Sequence, residues 1–186
     1  MSVALFTVGG TISMAGDRRL TGADLTVAVP GLAELAQTVE IQDVEKIPSA
    51  DLTAAKLLEI VDAASKAVTA GAVGAVVTQG TDTLEESAFL ADLVWPHPQP
   101  LVFTGAMRNP TLAGPDGPAN LLAAVRVASS PAARDLGALV VFNEEIHAAR
   151  WVRKTHSTST ATFASPNTGP IGQVVEDRVR ILTRPL

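Results

Sequence analysis

Short apolar runs alternate with segments of helical spacing along most of this chain, and that alternation constrains the fold more than any other feature. Residues 3–8 form an apolar run cut short by Gly9-Gly10, as expected of a strand buried on both faces of a parallel sheet. Over 51–70, Leu57, Leu58, Val61, Ala64 and Val68 recur at helical spacing, with Thr53 as cap and Gly71 as stop. The pattern then repeats as strand 73–78, helix 84–94, strand 101–104, helix 118–128 and strand 138–142. Such alternation predicts an α/β fold, doubly wound in the Rossmann or flavodoxin manner, with a mainly parallel sheet. Two short alternating runs over 171–182, split by Glu176-Asp177-Arg178, predict a C-terminal β-hairpin.

The remaining segments read less regularly. A further strand is expected over 39–47, a polar loop over 18–24, a Pro30-started segment over 32–37 and a proline-stiffened surface loop over 95–100. A length of 186 residues suits one domain, placed at 1–182, with 183–186 as the start of a linker to a C-terminal domain absent from the sequence. Apolar residues at 47% and charged residues at 18% describe a chain able to bury a core rather than a disordered one. A formal charge of -5 without any lysine or arginine run argues against nucleic acid or an anionic membrane as the main partner, which leaves a small molecule. The absence of cysteine excludes disulfides, thiolate metal sites and cysteine catalysis. The first residues carry no basic n-region and no stretch reaches membrane length, so with Met1 as the native start a cytoplasmic protein is expected.

A doubly wound sheet binds ligands outside the carboxyl ends of its strands, which selects the loops to search. Three of them concentrate polar residues: Gly9-Gly10-Thr11-Ile12, Thr78 to Thr83, and Thr104-Gly105-Ala106-Met107-Arg108. Thr83-Leu84-Glu85-Glu86 has the spacing of a capping box and would start the helix that follows. Thr81 and Asp82 then sit just ahead of a helix N-terminus, where free N–H groups favour a carboxylate or an oxyanion, and Gly80 allows close approach of the backbone. Read alone, this loop is more often an ordinary turn, and Gly9-Gly10 more often a tight bend. Neither G-x-G-x-x-G nor G-x-x-x-x-G-K-[ST] occurs, so a nucleotide site has no support. A hydroxyl nucleophile would need a proton acceptor from elsewhere, and Lys154 after the 138–142 strand is the amine that could hold or relay a proton if partly desolvated. His97, His147 and His156 lack metal-ligand spacing and read as surface or core residues, so no metal is expected.

Taken together, these segments resemble the bacterial-type L-asparaginase and glutaminase family. The likeness is carried by Thr7-Val8-Gly9-Gly10-Thr11-Ile12-Ser13 and by Val76 through Glu86 around Gly80-Thr81-Asp82-Thr83. It continues through Thr104 to Arg108, Gly114 to Leu121, Lys154-Thr155 and Gly169-Pro170-Ile171-Gly172, and so covers essentially the whole chain. The resemblance implies hydrolysis of L-asparagine to aspartate and ammonia, with L-glutamine as a second substrate, no cofactor, and a dimer or tetramer in the full-length protein. It makes Thr11 the nucleophile that takes the aspartyl group. Thr81, Lys154 and Asp82 become a second catalytic cluster, in which Asp82 pairs with the substrate's α-ammonium. Ser49, assisted by backbone near Gly80, would bind the α-carboxylate, and Ala106 would line the amide end.

The chain departs from the family pattern in two places. It contains no tyrosine, where many members have one after the first threonine, and Ala50 stands where some carry a glutamine. Two alternatives stay open on the sequence: the asparaginase-like subunit of a tRNA-dependent amidotransferase, and a non-catalytic module that binds aspartate or asparagine.

Overall fold

The structure is a computed structural model that describes residues 1–15, 18–35, 38–44 and 46–185. In chain order the first elements are β1 (Ser2–Thr7), β2 (Met14–Ala15), β3 (Arg18–Arg19), α1 (Gly22–Val27), β4 (Thr38–Asp43), α2 (Ala54–Thr69), β5 (Gly74–Thr78) and α3 (Leu84–Val94). There follow β6 (Leu101–Thr104), α4 (Gly117–Ser129), β7 (Ala138–Phe142), β8 (Glu145–Ala148), β9 (Arg153–Lys154), β10 (Phe163–Ala164), β11 (Gly172–Val175) and β12 (Arg178–Ile181). Eight strands form one sheet in the order β12-β11-β8-β7-β6-β5-β1-β4. The five from β4 to β7 are parallel, and β8, β11 and β12 extend the sheet antiparallel. The expected α/β architecture and its C-terminal hairpin are both present.

Strand alternation divides the core between the two faces of this sheet. Val3 and Leu5 of β1 pack with Leu25 of α1 and the apolar side of α4, while Ala4 and Phe6 pack with α2 and α3. Every residue of β5, β6 and β7 is buried, which explains why these strands read as unbroken apolar runs. Thr53 caps α2 by accepting the Lys56 N–H, and the helix stops at Ala70, just before Gly71.

Several boundaries differ from the sequence reading. The strand expected over 39–47 ends at Asp43, whose carboxylate accepts from the Thr7 hydroxyl at 2.5 Å and the Gly22 N–H at 2.8 Å. Glu45 lies outside the described residues, as do Ala36 and Gln37 of the 32–37 segment and Leu186 of the expected linker. The helix expected from 51 begins at Ala54, because Ser49–Asp51 forms a separate 3-10 turn. The region expected as a polar loop contains β3 and α1; Thr21 and Asp24 form a reciprocal capping box there. Strand β8 was not anticipated. It follows a two-residue reversal at Asn143 and Glu144, both with positive φ (50° and 64°), and so joins β7 as a tight hairpin.

The chain reverses direction across the sheet between β1 and β5. From β1 it runs outward to β4, and from β5 it runs the other way to β6. The crevice beyond the carboxyl ends of these two neighbouring strands is the switch point at which doubly wound sheets bind ligands.

Candidate active site

A cleft of about 320 Å³ lies at this switch point. Its walls come from Gly9 to Thr11 and Ser13 after β1, from 46–49 after β4, and from Gly80 to Asp82 after β5. Thr11 opens a 3-10 turn in which the Ser13 N–H donates to the Gly10 carbonyl at 3.0 Å, and Ile12 anchors that turn in the core. The β1 and β5 loops touch backbone to backbone. A Cβ on Gly10, whose φ is +86°, would stand 2.3 Å from the Gly80 nitrogen. A Cβ on Gly80 would stand 2.6 Å from Ser49 Oγ. Only residues without side chains let the three loops converge this closely.

Ser49 is buried at the base of the cleft. Its Oγ accepts the Asp82 N–H at 3.2 Å, and its carbonyl accepts from the Thr83 hydroxyl at 2.7 Å. The second bond corrects the expected capping box at Thr83: that residue precedes α3, but its side chain makes no cap bond. Thr83 has φ -123° and ψ 23°, away from the extended backbone from which an N-cap hydroxyl accepts the first N–H groups of its helix, and it ties the β5 loop to the Ser49 turn instead.

Lys154 arrives on β9, which pairs with β10. Its Nζ donates to Thr81 Oγ1 at 2.9 Å and to Asp82 Oδ1 at 2.8 Å. The Lys154 side chain is 17% exposed and that of Asp82 73%, so the ammonium is largely enclosed while the carboxylate is open to solvent. Because Lys154 donates to Thr81, the Thr81 hydroxyl keeps its own proton for another acceptor. Thr11 is half-buried, and among the described residues no side chain bonds its hydroxyl.

The structure thus brings Thr11, Ser49, Gly80, Thr81 and Asp82 to one cleft and hangs Lys154 on two of them. Ala106 is placed differently. It is buried and absent from the cleft wall; both its Cβ and the Ile12 side chain lie within about 3.3 Å of where a Cβ on Gly117 would stand. It therefore backs the residue after Thr11. Lys46 and Ser13 line the cleft and were not singled out from sequence. Ser13 carries a buried Oγ with no hydrogen-bond partner among the described residues, a signal visible only in three dimensions.

The histidines lie away from the cleft. His97 bonds Ser65 at 2.6 Å, His156 accepts the Thr158 and Ser159 N–H groups at 3.0 Å, and His147 is buried against Ser165 Oγ at 2.9 Å. Among the described residues no group of three or more histidines and carboxylates could hold a metal ion, and no helix is long and apolar enough to cross a membrane.

The family model described as "Asparaginase, N-terminal" matches residues 2–186. The chain belongs to the asparaginase family. Its sequence is 34% identical over 186 residues to "L-asparaginase 2" of Bacillus subtilis (strain 168), covering 95% of this chain and 50% of that protein. It is 37% identical over 188 residues to "Glutaminase-asparaginase" of Pseudomonas aeruginosa, covering 95% and 51%. The crystal structure of a probable cytoplasmic L-asparaginase from Campylobacter jejuni superposes with a TM-score of 0.94 at 32% identity, over 100% of this chain and 59% of that one. The chain spans about half the length of the curated relatives it matches. The asparaginase match takes in all three cleft loops and the Lys154 strand.

Proposed function

We propose that this chain, as residues 1–182, is the active-site domain of an amidohydrolase that converts L-asparagine and water to L-aspartate and ammonia. Family membership supports the reaction type, and the names of relatives cover both asparagine and glutamine as substrates. The single observation that carries the reading is the meeting of Thr11, Thr81 and Asp82 in one cleft, with Lys154 Nζ held by the last two.

The chemistry follows from these groups. The Thr11 oxygen attacks the side-chain amide carbon, the C–N bond breaks, and ammonia leaves with the hydroxyl proton. Water then attacks the resulting aspartyl ester, which releases aspartate and restores the Thr11 hydroxyl. Thr81, still able to donate, and the Lys154 ammonium supply protons and positive charge beside the reacting carbonyl. Asp82 takes the α-ammonium, and the Ser49 hydroxyl donates to the α-carboxylate. A zwitterion so held by both charges presents its amide at a fixed distance from Thr11. Glutamine has one methylene more, worth only about 1–3 kcal/mol of discrimination, so activity on both amides is expected.

The second reading is a binding module without turnover. It is favoured by one observation, the lack of a side-chain partner for the Thr11 hydroxyl among the described residues. Ammonia release from L-asparagine, L-glutamine and acetamide separates the two. The hydrolase releases ammonia from the amino acids and far more slowly from acetamide, whereas a binding module is silent with all three yet gives a calorimetric signal with aspartate.

A further inference from the structure

We propose that Glu85 is a positioning residue for Lys154, which it holds against the Thr81-Asp82 loop by gripping its backbone. The proposal rests on the reading above, in which Lys154 belongs to the hydrolytic cluster. Glu85 is the second residue of α3, and its side chain is 18% exposed. One carboxylate oxygen, Oε2, accepts the main-chain N–H of Lys154, and the other, Oε1, lies 3.9 Å from Arg153 Nε.

The need for such a grip comes from the weakness of β9. This strand is two residues long, pairs only with the two residues of β10, and stands outside the eight-stranded sheet. Just past the end of the strand the Thr155 N–H donates to the Thr162 carbonyl at 2.7 Å, while the Lys154 N–H points the other way, as alternate amides of an antiparallel pair do. A pair of two-residue strands cannot hold its edge in place by itself. Val152 and Phe163 seat the pair in the core, and Glu85 adds a polar attachment at Lys154 itself, from the same helix end that carries Thr81 and Asp82. Both anchors of Lys154, its amine on that loop and its amide on Glu85, therefore move as one body with α3.

A carboxylate in the first turn also stabilises a helix through its dipole, whatever it touches. Glu86 provides the control. It shares the first turn of α3 but is exposed to solvent and makes no bond to Lys154.

The experiment compares wild type, Glu85→Ala, Glu85→Gln, Glu86→Ala, Lys154→Met and the double change Glu85→Ala with Lys154→Met. Displacement of a reacting group by about 1 Å costs up to roughly a hundredfold in rate, so Glu85→Ala should lower kcat for L-asparagine by about 30- to 100-fold while KM moves less than about threefold. Glu85→Gln, whose amide oxygen still accepts the N–H, should recover most of that loss. Glu86→Ala should stay within about twofold of wild type. In the Lys154→Met background Glu85→Ala should cost nothing further, because a residue that acts through the amine has nothing left to place.

Acylation of Lys154 by acetic anhydride, followed by peptide mass spectrometry, reads the same grip without turnover. Loss of a hydrogen bond to a charged group should raise the Lys154 labelling rate about tenfold in Glu85→Ala and leave it unchanged in Glu86→Ala. Equal kcat losses in both Lys154 backgrounds, or equal effects of Glu85→Ala and Glu86→Ala on labelling, would overturn the proposal. A wild-type chain that releases no ammonia would sink the hydrolase reading alone, and the labelling rates would still decide for or against Glu85.

Discussion

Gly10 and Gly80 press their backbones together so closely that a Cβ on Gly10 would lie 2.4 Å from the Gly80 Cα. The two residues come from loops after neighbouring parallel strands, and their contact closes the floor of the cleft between Thr11 and Thr81. Gly10→Ala would add both a steric clash and an unfavourable left-handed φ. Together these should cost roughly 2–4 kcal/mol. Urea denaturation should show a lower midpoint at an unchanged slope, and calorimetry should show aspartate binding lost. A wild-type midpoint would mean that the loops are not packed as described.

The bond from Lys154 Nζ to Thr81 Oγ1 spans 73 positions of sequence and makes the two side chains one unit. Groups that act as a unit lose activity non-additively. Thr81→Val and Lys154→Met should each cut kcat by about 100-fold or more, and the double variant should be little worse than the poorer single one. Steady-state ammonia assays on the four proteins supply the cycle. Losses that multiply would show that the two residues work independently.

His147 offers a test of stability rather than activity. Its ring is fully buried, with Nδ1 on Ser165 Oγ and Nε2 3.3 Å from Glu145 Oε2, and burial pushes its pKa from 6.5 down to about 4. The folded state therefore resists the proton that the unfolded chain accepts. This contribution is fully present above pH 6.5 and is lost as the pH falls toward 4, by about 3 kcal/mol at most. Burial raises the Glu145 carboxyl, which acts in the opposite sense and trims that figure. Stability measured by urea at pH 7 and pH 4.5 should fall more in wild type than in His147→Gln, by about 2 kcal/mol. Identical losses would place the acid sensitivity elsewhere.

The parts of the fold that sequence revealed are those dictated by local pattern. Strands 101–104 and 138–142 and helix 84–94 occur where the apolar runs and the 3.6 period placed them, because each is buried along its length or on one face. Helix α1 escaped notice because it has six residues and its capping partner is Asp24 rather than a glutamate or glutamine. Strand β8 escaped because the turn before it uses Asn143 and Glu144 in place of a glycine. At the cleft, the loops that hold Thr11 and Thr81 were legible as strand ends, and their convergence followed from the doubly wound topology. The roles of Thr83 and Glu85 were not. Thr83 and Glu86 have the spacing of a local cap, but Thr83 donates to a Ser49 carbonyl 34 residues away, and Glu85, which has no part in that motif, accepts from a Lys154 amide 69 residues away. Non-local partners of this kind leave no trace in a local motif.

Thr11 carries the central claim, and ammonia release by wild type and by Thr11→Val tests it most directly. The substitution keeps the shape of the side chain and removes only the attacking oxygen. Wild type should hydrolyse L-asparagine. Thr11→Val should fold, bind aspartate with an affinity within about threefold, and lose about a thousandfold or more in kcat. A Thr11→Val variant that releases ammonia at the wild-type rate would contradict the assignment and move the nucleophile elsewhere in the cleft.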